Sequence, residues 1–305
     1  MDKKGTYLAH LALFAVAAIY GANYVIAKGL MPDLIGPSGF IVYRVIGALA
    51  LFGTLYALNF ERVQSKDLIR LLFCGLTGVA VNQLMFFNGL NLTSPVHASI
   101  IMTVNPILVL IMSALILKNA ITARKVLGIV VGTIGAVLLL LLSSTSNSAH
   151  VSVIGDAMVL VNAASYAVYL VIVKPLMSKY KPTTVIFYTF LCGALFVIPV
   201  GLNQALEVDW SLFTQRDTGA LLYVIIATTF MAYLLNVYAL KRVQPTVVSV
   251  YIYLQPLMAG LSAFAFAMLG WEDYTGDINL KTVGSALLIF IGVYLVSFKR
   301  KTQIP

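Results

Sequence analysis

Apolar residues in this chain come in long unbroken runs, separated by short clusters of polar and charged residues. Ten such runs can be placed, at about 8–28, 38–58, 68–89, 95–117, 122–142, 153–174, 182–202, 218–239, 245–268 and 281–298. Each is long enough for a helix to cross roughly 30 Å of hydrocarbon. The pattern therefore predicts an all-α polytopic membrane protein with ten transmembrane helices.

The runs are not independent of one another. Ser94-Pro95-Val96-His97-Ala98-Ser99, continuing through Val104-Asn105-Pro106, returns 150 residues later as Gln244-Pro245-Thr246-Val247-Val248-Ser249, continuing through Leu254-Gln255-Pro256. The flanks hold the same register, with Leu71 matching Leu221, Leu84 matching Leu234 and Leu90 matching Leu240. Tyr20-Gly21-Ala22-Asn23-Tyr24 through Lys28 likewise returns as Tyr166-Ala167-Val168-Tyr169 through Lys174, and Lys125-Val126-Leu127-Gly128 as Lys281-Thr282-Val283-Gly284. The chain therefore reads as a duplication, residues 1–146 and 147–305, joined at the uncharged linker Ser143–Ser148. Five spans per copy is an odd number, so the second copy starts from the opposite face of the membrane. Inverted repeats of this kind are the architecture of many secondary transporters.

Composition changes the picture little and charge changes it more. The chain of 305 residues is 60% hydrophobic and 10% charged, too little polar surface for a water-soluble domain. The net charge of +9 suggests nucleic acid until its placement is read. Numbering the loops alternately from a cytoplasmic N-terminus puts 16 of the 20 basic residues on one side. That bias sets orientation by the positive-inside rule, with both termini in the cytoplasm and the plasma (inner) membrane as the location. The basic excess is thus a topology signal, and no nucleic-acid partner is expected. Lys3-Lys4 before the first apolar run imitates a signal peptide, but that run belongs to the repeat and reads as an uncleaved span. Cys74 and Cys192 both fall inside spans, so neither a disulfide framework nor a thiolate metal site is expected.

With these residues in hand, the chain is similar to the EamA family of the drug/metabolite transporter superfamily. The resemblance lies in Tyr20-Gly21-Ala22-Asn23 through Lys28, in Arg44, in the Pro95–Pro106 segment, in Gly128 with Gly132, and in Gly270 with Glu272. It implies ten helices, a central cavity shared by the two halves, and export of a small metabolite or amino acid. One departure stands out: the first copy has Lys118-Asn119 where the family usually carries a Gly-Glu pair, so only Glu272 can supply that acid here.

Candidate chemistry follows from polar residues placed inside spans. Tyr20 with Asn23, and Tyr166 with Tyr169, are pairs three residues apart and so share a helix face. Gln83 and Tyr233 hold twin positions, with Asn236 a turn from Tyr233; Tyr251 shares a face with Gln255, and Ser249 with Tyr253. Together with Ser99 and Asn105 they suit a cavity for a solute with an apolar body and a few polar groups. The alternative is hydrogen bonding between helices and interfacial tyrosine belts. Pro106 and Pro256, each next to an amide near mid-bilayer, read either as packing kinks or as hinges beside the cavity.

Arg44 lies seven residues inside Pro37, about 10 Å below the span edge. A cation there must face the bundle or water. It reads either as a snorkelling anchor or as a site for an anionic group on the substrate, with Lys28 nearby. His97 reads as a hydrogen-bonded helix residue or as a proton relay. Asp156, Glu272, Asp273 and Asp277 all fall at outer span ends, so a membrane-buried carboxylate for proton coupling is not expected. Gly128, Gly132 and Gly135 form a small-residue face suited to close packing within the chain or in a homodimer.

These features favour a secondary transporter for a small molecule in the lipid bilayer, monomeric or homodimeric, without catalytic residues, metal or cofactor. No Gly-rich nucleotide loop marks a pump. An intramembrane enzyme acting on lipid or peptide is the alternative, but it needs acids and histidines clustered at catalytic spacing. His10, His97 and His150 are scattered.

Overall fold

A computed structural model describes residues 3–117, 122–145, 152–240, 242–243, 251–270, 274 and 280–297. Among these the chain is helical throughout. The elements are α1 (Lys3–Lys28), α2 (Pro37–Leu58), α3 (Ser65–Leu92), α4 (Pro95–Met102, continued by Asn105–Leu117), α5 (Ala123–Thr145) and α6 (Val153–Met177). They continue with α7 (Pro182–Leu206), α8 (Gln215–Tyr223, continued through Leu240), α9 (Tyr251–Leu254 and Gln255–Met268) and α10 (Leu280–Ser297). Eight are long and apolar enough to cross a membrane, and Leu280–Gly292 is a shorter apolar helix. The linker beyond Thr145 and the acids Glu272, Asp273 and Asp277 lie outside the described residues.

Local chemistry sets the helix ends. Pro37, Pro95 and Pro182 stand in first turns, where a missing N–H costs nothing. Ser94 Oγ accepts from the His97 N–H and Ser152 Oγ from the Gly155 N–H, capping α4 and α6. Thr214 and Asp217 form a reciprocal capping box on α8.

Twin helices carry twin irregularities. Both α3 and α8 widen into π-helical turns, at Leu76–Ala80 and Val224–Met231, just before the twin positions Gln83 and Tyr233. The α-helix is interrupted just before each Asn/Gln-Pro pair: α4 by a turn at Thr103-Val104, and α9 by the 3-10 turn Tyr251–Leu254 that precedes Gln255. Pro106 and Pro256 therefore open new α-helical segments and do not kink continuous ones, since a proline in a first turn displaces no hydrogen bond.

Packing repeats the same symmetry. α2 packs along its own twin α7, and α5 along its twin α10. The contact of α1 with α8 is mirrored by that of α3 with α6, α1–α9 by α4–α6, and α2–α8 by α3–α7. Each of these contacts joins one half of the chain to the other. Glycines allow the closest of them: a Cβ on Gly292 would stand 2.4 Å from the Gly132 backbone nitrogen, and one on Gly89 would stand 2.8 Å from the Gly155 carbonyl oxygen. The small-residue face of α5 is thus spent inside the chain.

Polar and apolar positions are distributed as hydrocarbon surroundings require. Leu195, Phe264 and Leu261 point outward, while Asn23, Arg44, Gln83 and Asn162 are buried.

Candidate functional site

Near the middle of the bundle lies a cavity of about 190 Å³ walled by helices of both halves. Tyr20, Asn23, Arg44, Gln83, Asn105, Tyr166, Tyr233, Asn236, Tyr251 and Gln255 line it, so ten of the residues singled out from the sequence meet at one place. Others do not reach it. Ser99 turns its hydroxyl back onto the Val96 carbonyl at 2.7 Å, and Tyr169 packs beside Gly78. Tyr253 lies edge-on to Phe290. Ser249 is outside the described residues.

Arg44 forms one wall. Its Nε and Nη2 both donate to Thr229 Oγ1, at 3.1 and 2.9 Å, and its guanidinium carbon sits 4.5 Å from the centre of the Phe87 ring. Thr229 in turn donates to the Val224 carbonyl at 2.9 Å, so the π-helical turns of α8 hold the acceptor in place. The side chain is buried, and the cation rests on a hydroxyl and an aromatic face. Lys28 does not join it. Its ammonium donates to the carbonyls of Leu90, Asn91 and Thr93 at 2.9, 2.7 and 2.9 Å, capping the C-terminal end of α3. Lys28, read from the sequence as near an anion site at Arg44, is held instead by the carbonyls at a helix end and does not line the cavity.

Amides make up another part of the lining. Asn162 Nδ2 donates to the Asn82 carbonyl at 2.6 Å and Asn105 Nδ2 to the Ala163 carbonyl at 3.2 Å, stitching α6 to α3 and α4. Among the described residues these bonds leave Asn162 Oδ1 without a donor, and Asn23 Oδ1 and Gln83 Oε1 are in the same state. Three buried carbonyl oxygens on cavity-lining residues thus lack hydrogen-bond donors, each a cost of about 1–3 kcal/mol unless a visitor or water supplies the N–H. Aromatic rings close the remainder: Tyr24 donates to Gln255 Oε1 at 3.0 Å and meets Phe86 edge-on, and Tyr251 bonds His10 Nδ1 at 2.8 Å.

Tyr24, Asn82, Phe86, Phe87, Asn162 and Thr228 also line the cavity, and sequence reading did not single them out. Asn162 was within reach, being one turn before Tyr166 on the same face. Thr228 and Thr229 were not, because the π-helical turns shift the periodicity on which face assignment depends.

Asp156 stands in the first turn of α6, at the span end where the sequence placed it, yet it is fully buried, because α6 crosses α3 in backbone contact and its first turn meets the start of α4.

The sequence is similar, over nearly its whole length, to transporter proteins. The EamA-like transporter family matches residues 7–141 and, a second time, residues 153–298. An uncharacterized transporter of Archaeoglobus fulgidus is 26% identical over 293 residues, covering 95% of this chain and 98% of its own length. The uncharacterized transporter YyaM of Bacillus subtilis is 25% identical, covering 94% and 93%. Protein WALLS ARE THIN 1 of Arabidopsis thaliana is 26% identical, covering 96% and 83%. A crystal structure of a protein 16% identical superposes with a TM-score of 0.58 over 94% of this chain and 95% of that one, a likeness of fold alone. Two matches to one family, across two halves of a helical membrane protein, lead to one conclusion: the chain belongs to the EamA-like transporter family.

Proposed function

We propose that this protein is a secondary transporter that moves a small organic solute, an amino acid or similar, by alternating access through the central cavity. The observation that carries the reading is the cavity's mixed chemistry. Its lining brings together a guanidinium over an aromatic ring and the oxygens of Asn23, Gln83 and Asn162, which lack donors among the described residues. A carboxylate meets the first and an N–H-rich group the second, with aromatic faces around the body between them. Both halves build the site, as alternating access between two repeats requires.

The basic residues support an orientation with both termini in the cytoplasm of an inner membrane, hence an inverted second half, and the family resemblance favours export. The test is a thermal-shift screen of purified protein against amino acids, their amides and decarboxylated amines, since a ligand that binds only the folded state raises the midpoint. Amino acids are expected to raise it and both truncated series to fail. A series in which amides and acids act equally would remove Arg44 from recognition. Flux of a hit in reconstituted vesicles then tests translocation itself.

A further inference from the structure

A groove of about 510 Å³ lies between the first half of α3 and the second half of α6, and so at a seam between the two halves of the chain. It shares no lining residue with the central cavity. On α3, Lys66, Ile69, Arg70, Phe73 and Thr77 recur at helical spacing, which puts them on one face. Val168 and Ile172, one turn apart on α6, form the other side. On their facing sides the two helices pack through Leu71, Cys74, Tyr169 and Val173.

Polarity is graded along the groove. Lys66 and Arg70 are exposed at its mouth, and neither donates a hydrogen bond among the described residues. Asp67, the acid in the lining, is already engaged: it accepts from Lys179 Nζ and, at 2.6 Å, from the Tyr180 hydroxyl. With Asp67 and Lys179 balancing one another, Lys66 and Arg70 stand as excess positive charge. The rest of the lining is apolar. Ile69 and Phe73 are exposed, and Thr77 turns its hydroxyl back onto the Phe73 carbonyl at 2.7 Å. From Lys66 to Thr77 the groove runs about 16 Å at the helical rise per residue. That is close to half of the roughly 30 Å hydrocarbon core, the depth of one leaflet.

We propose that this groove is a binding site for an anionic phospholipid, with the headgroup phosphate on Lys66 and Arg70 and an acyl chain lying along Phe73, Val168 and Ile172. A phosphate oxygen accepts charge-assisted hydrogen bonds from both the ammonium and the guanidinium. The excess charge selects the headgroup. A zwitterionic lipid brings an ammonium of its own to a mouth that already holds two cations, whereas an anionic lipid brings net negative charge. The source fits as well: in the orientation proposed above, α3 starts at the cytoplasmic face, where anionic lipids give the leaflet its negative surface potential. Each basic residue near such lipids contributes about fivefold in binding, hence about 25-fold for the pair.

Fluorescence quenching in vesicles tests this without any transported solute, so its outcome and that of the solute screen are read separately. Full-length protein carrying Phe73→Trp is placed in phosphatidylcholine vesicles in which about a tenth of the lipid is brominated on its acyl chains. The brominated lipid is either phosphatidylglycerol or phosphatidylcholine, equal in both leaflets, so the result does not depend on orientation. The parent chain, with its own Trp210 and Trp271, supplies the background to subtract. The added indole is expected to prefer the phosphatidylglycerol about 25-fold; Lys66→Gln or Arg70→Gln alone should cut that preference about fivefold, and both together should remove it. Both side chains are exposed, and melting points near that of the parent would show that these variants fold. Leu195→Trp, exposed on α7, a helix without charged residues, should meet the two lipids equally. Equal quenching by the two lipids at Phe73→Trp, a preference that survives loss of both basic residues, or the same preference at Leu195→Trp overturns the proposal. Quenching by neither lipid at Phe73→Trp, as a second copy of the chain covering the groove would give, overturns it too.

Discussion

Arg44 shows how a single residue can be found from sequence while its setting cannot. A lone guanidinium in an apolar run has to face the bundle, and it does. Its acceptor Thr229 was hidden by the π-helical turns of α8, as was the widened register that brings Thr228 to the cavity. Because one hydroxyl takes two of the arginine's N–H groups, Thr229→Val should lower stability by about 1.5–3 kcal/mol, the range for hydrogen bonds to charged groups. Unfolding in mixed micelles measures this. Arg44→Lys should keep the charge but lose the fork, weakening the binding of carboxylate solutes, and Arg44→Gln should nearly abolish it. If Arg44→Gln instead lowers the melting point with binding intact, the residue is an anchor.

At the scale of elements, the paired irregularities carry the most information. The proline pairs were visible as repeats, but the turns that precede them were not, since propensity alone cannot say on which side of a proline a helix breaks. Pro106→Ala and Pro256→Ala each restore a backbone donor and let the two segments join. Both variants should fold with melting points near that of the wild type and transport slowly, which flux and melting together would establish. Equal flux would return both prolines to a packing role. Glycines give a sharper contrast. Gly292→Ala sets a methyl group against the Gly132 backbone and should cost about 1–3 kcal/mol by overpacking. Gly284→Ala, with open space around its Cβ, should be neutral or gain up to about 1 kcal/mol in helix propensity. The same small residue type thus has opposite tolerance two turns apart on one helix, and only the facing backbone decides it.

For the whole molecule, the all-helical class and the duplication were legible because hydrophobic run length and repeat offset survive divergence. Burial depth was not legible. Asp156 looks peripheral in its own helix and is covered only because a neighbour crosses over it, a tertiary fact with no local signature. Orientation is open to direct test: cysteines at Asp209 and Lys179, both on exposed segments, should differ in labelling by a membrane-impermeant reagent, with position 209 marked from outside and 179 not. Labelling of both from one side contradicts the charge-based topology.

The pairing of α2 with α7 and of α5 with α10 has a consequence for how the chain could be divided. A helix whose main neighbour is its own counterpart makes the kind of contact that two identical subunits make across a dyad. Each half alone leaves those faces bare, so neither is a self-sufficient folding unit, although each is a complete unit of sequence. Separate polypeptides comprising residues 1–146 and 147–305 should therefore be degraded when expressed singly. Produced together, they should recover a stable complex, as the two members of an obligate heterodimer would.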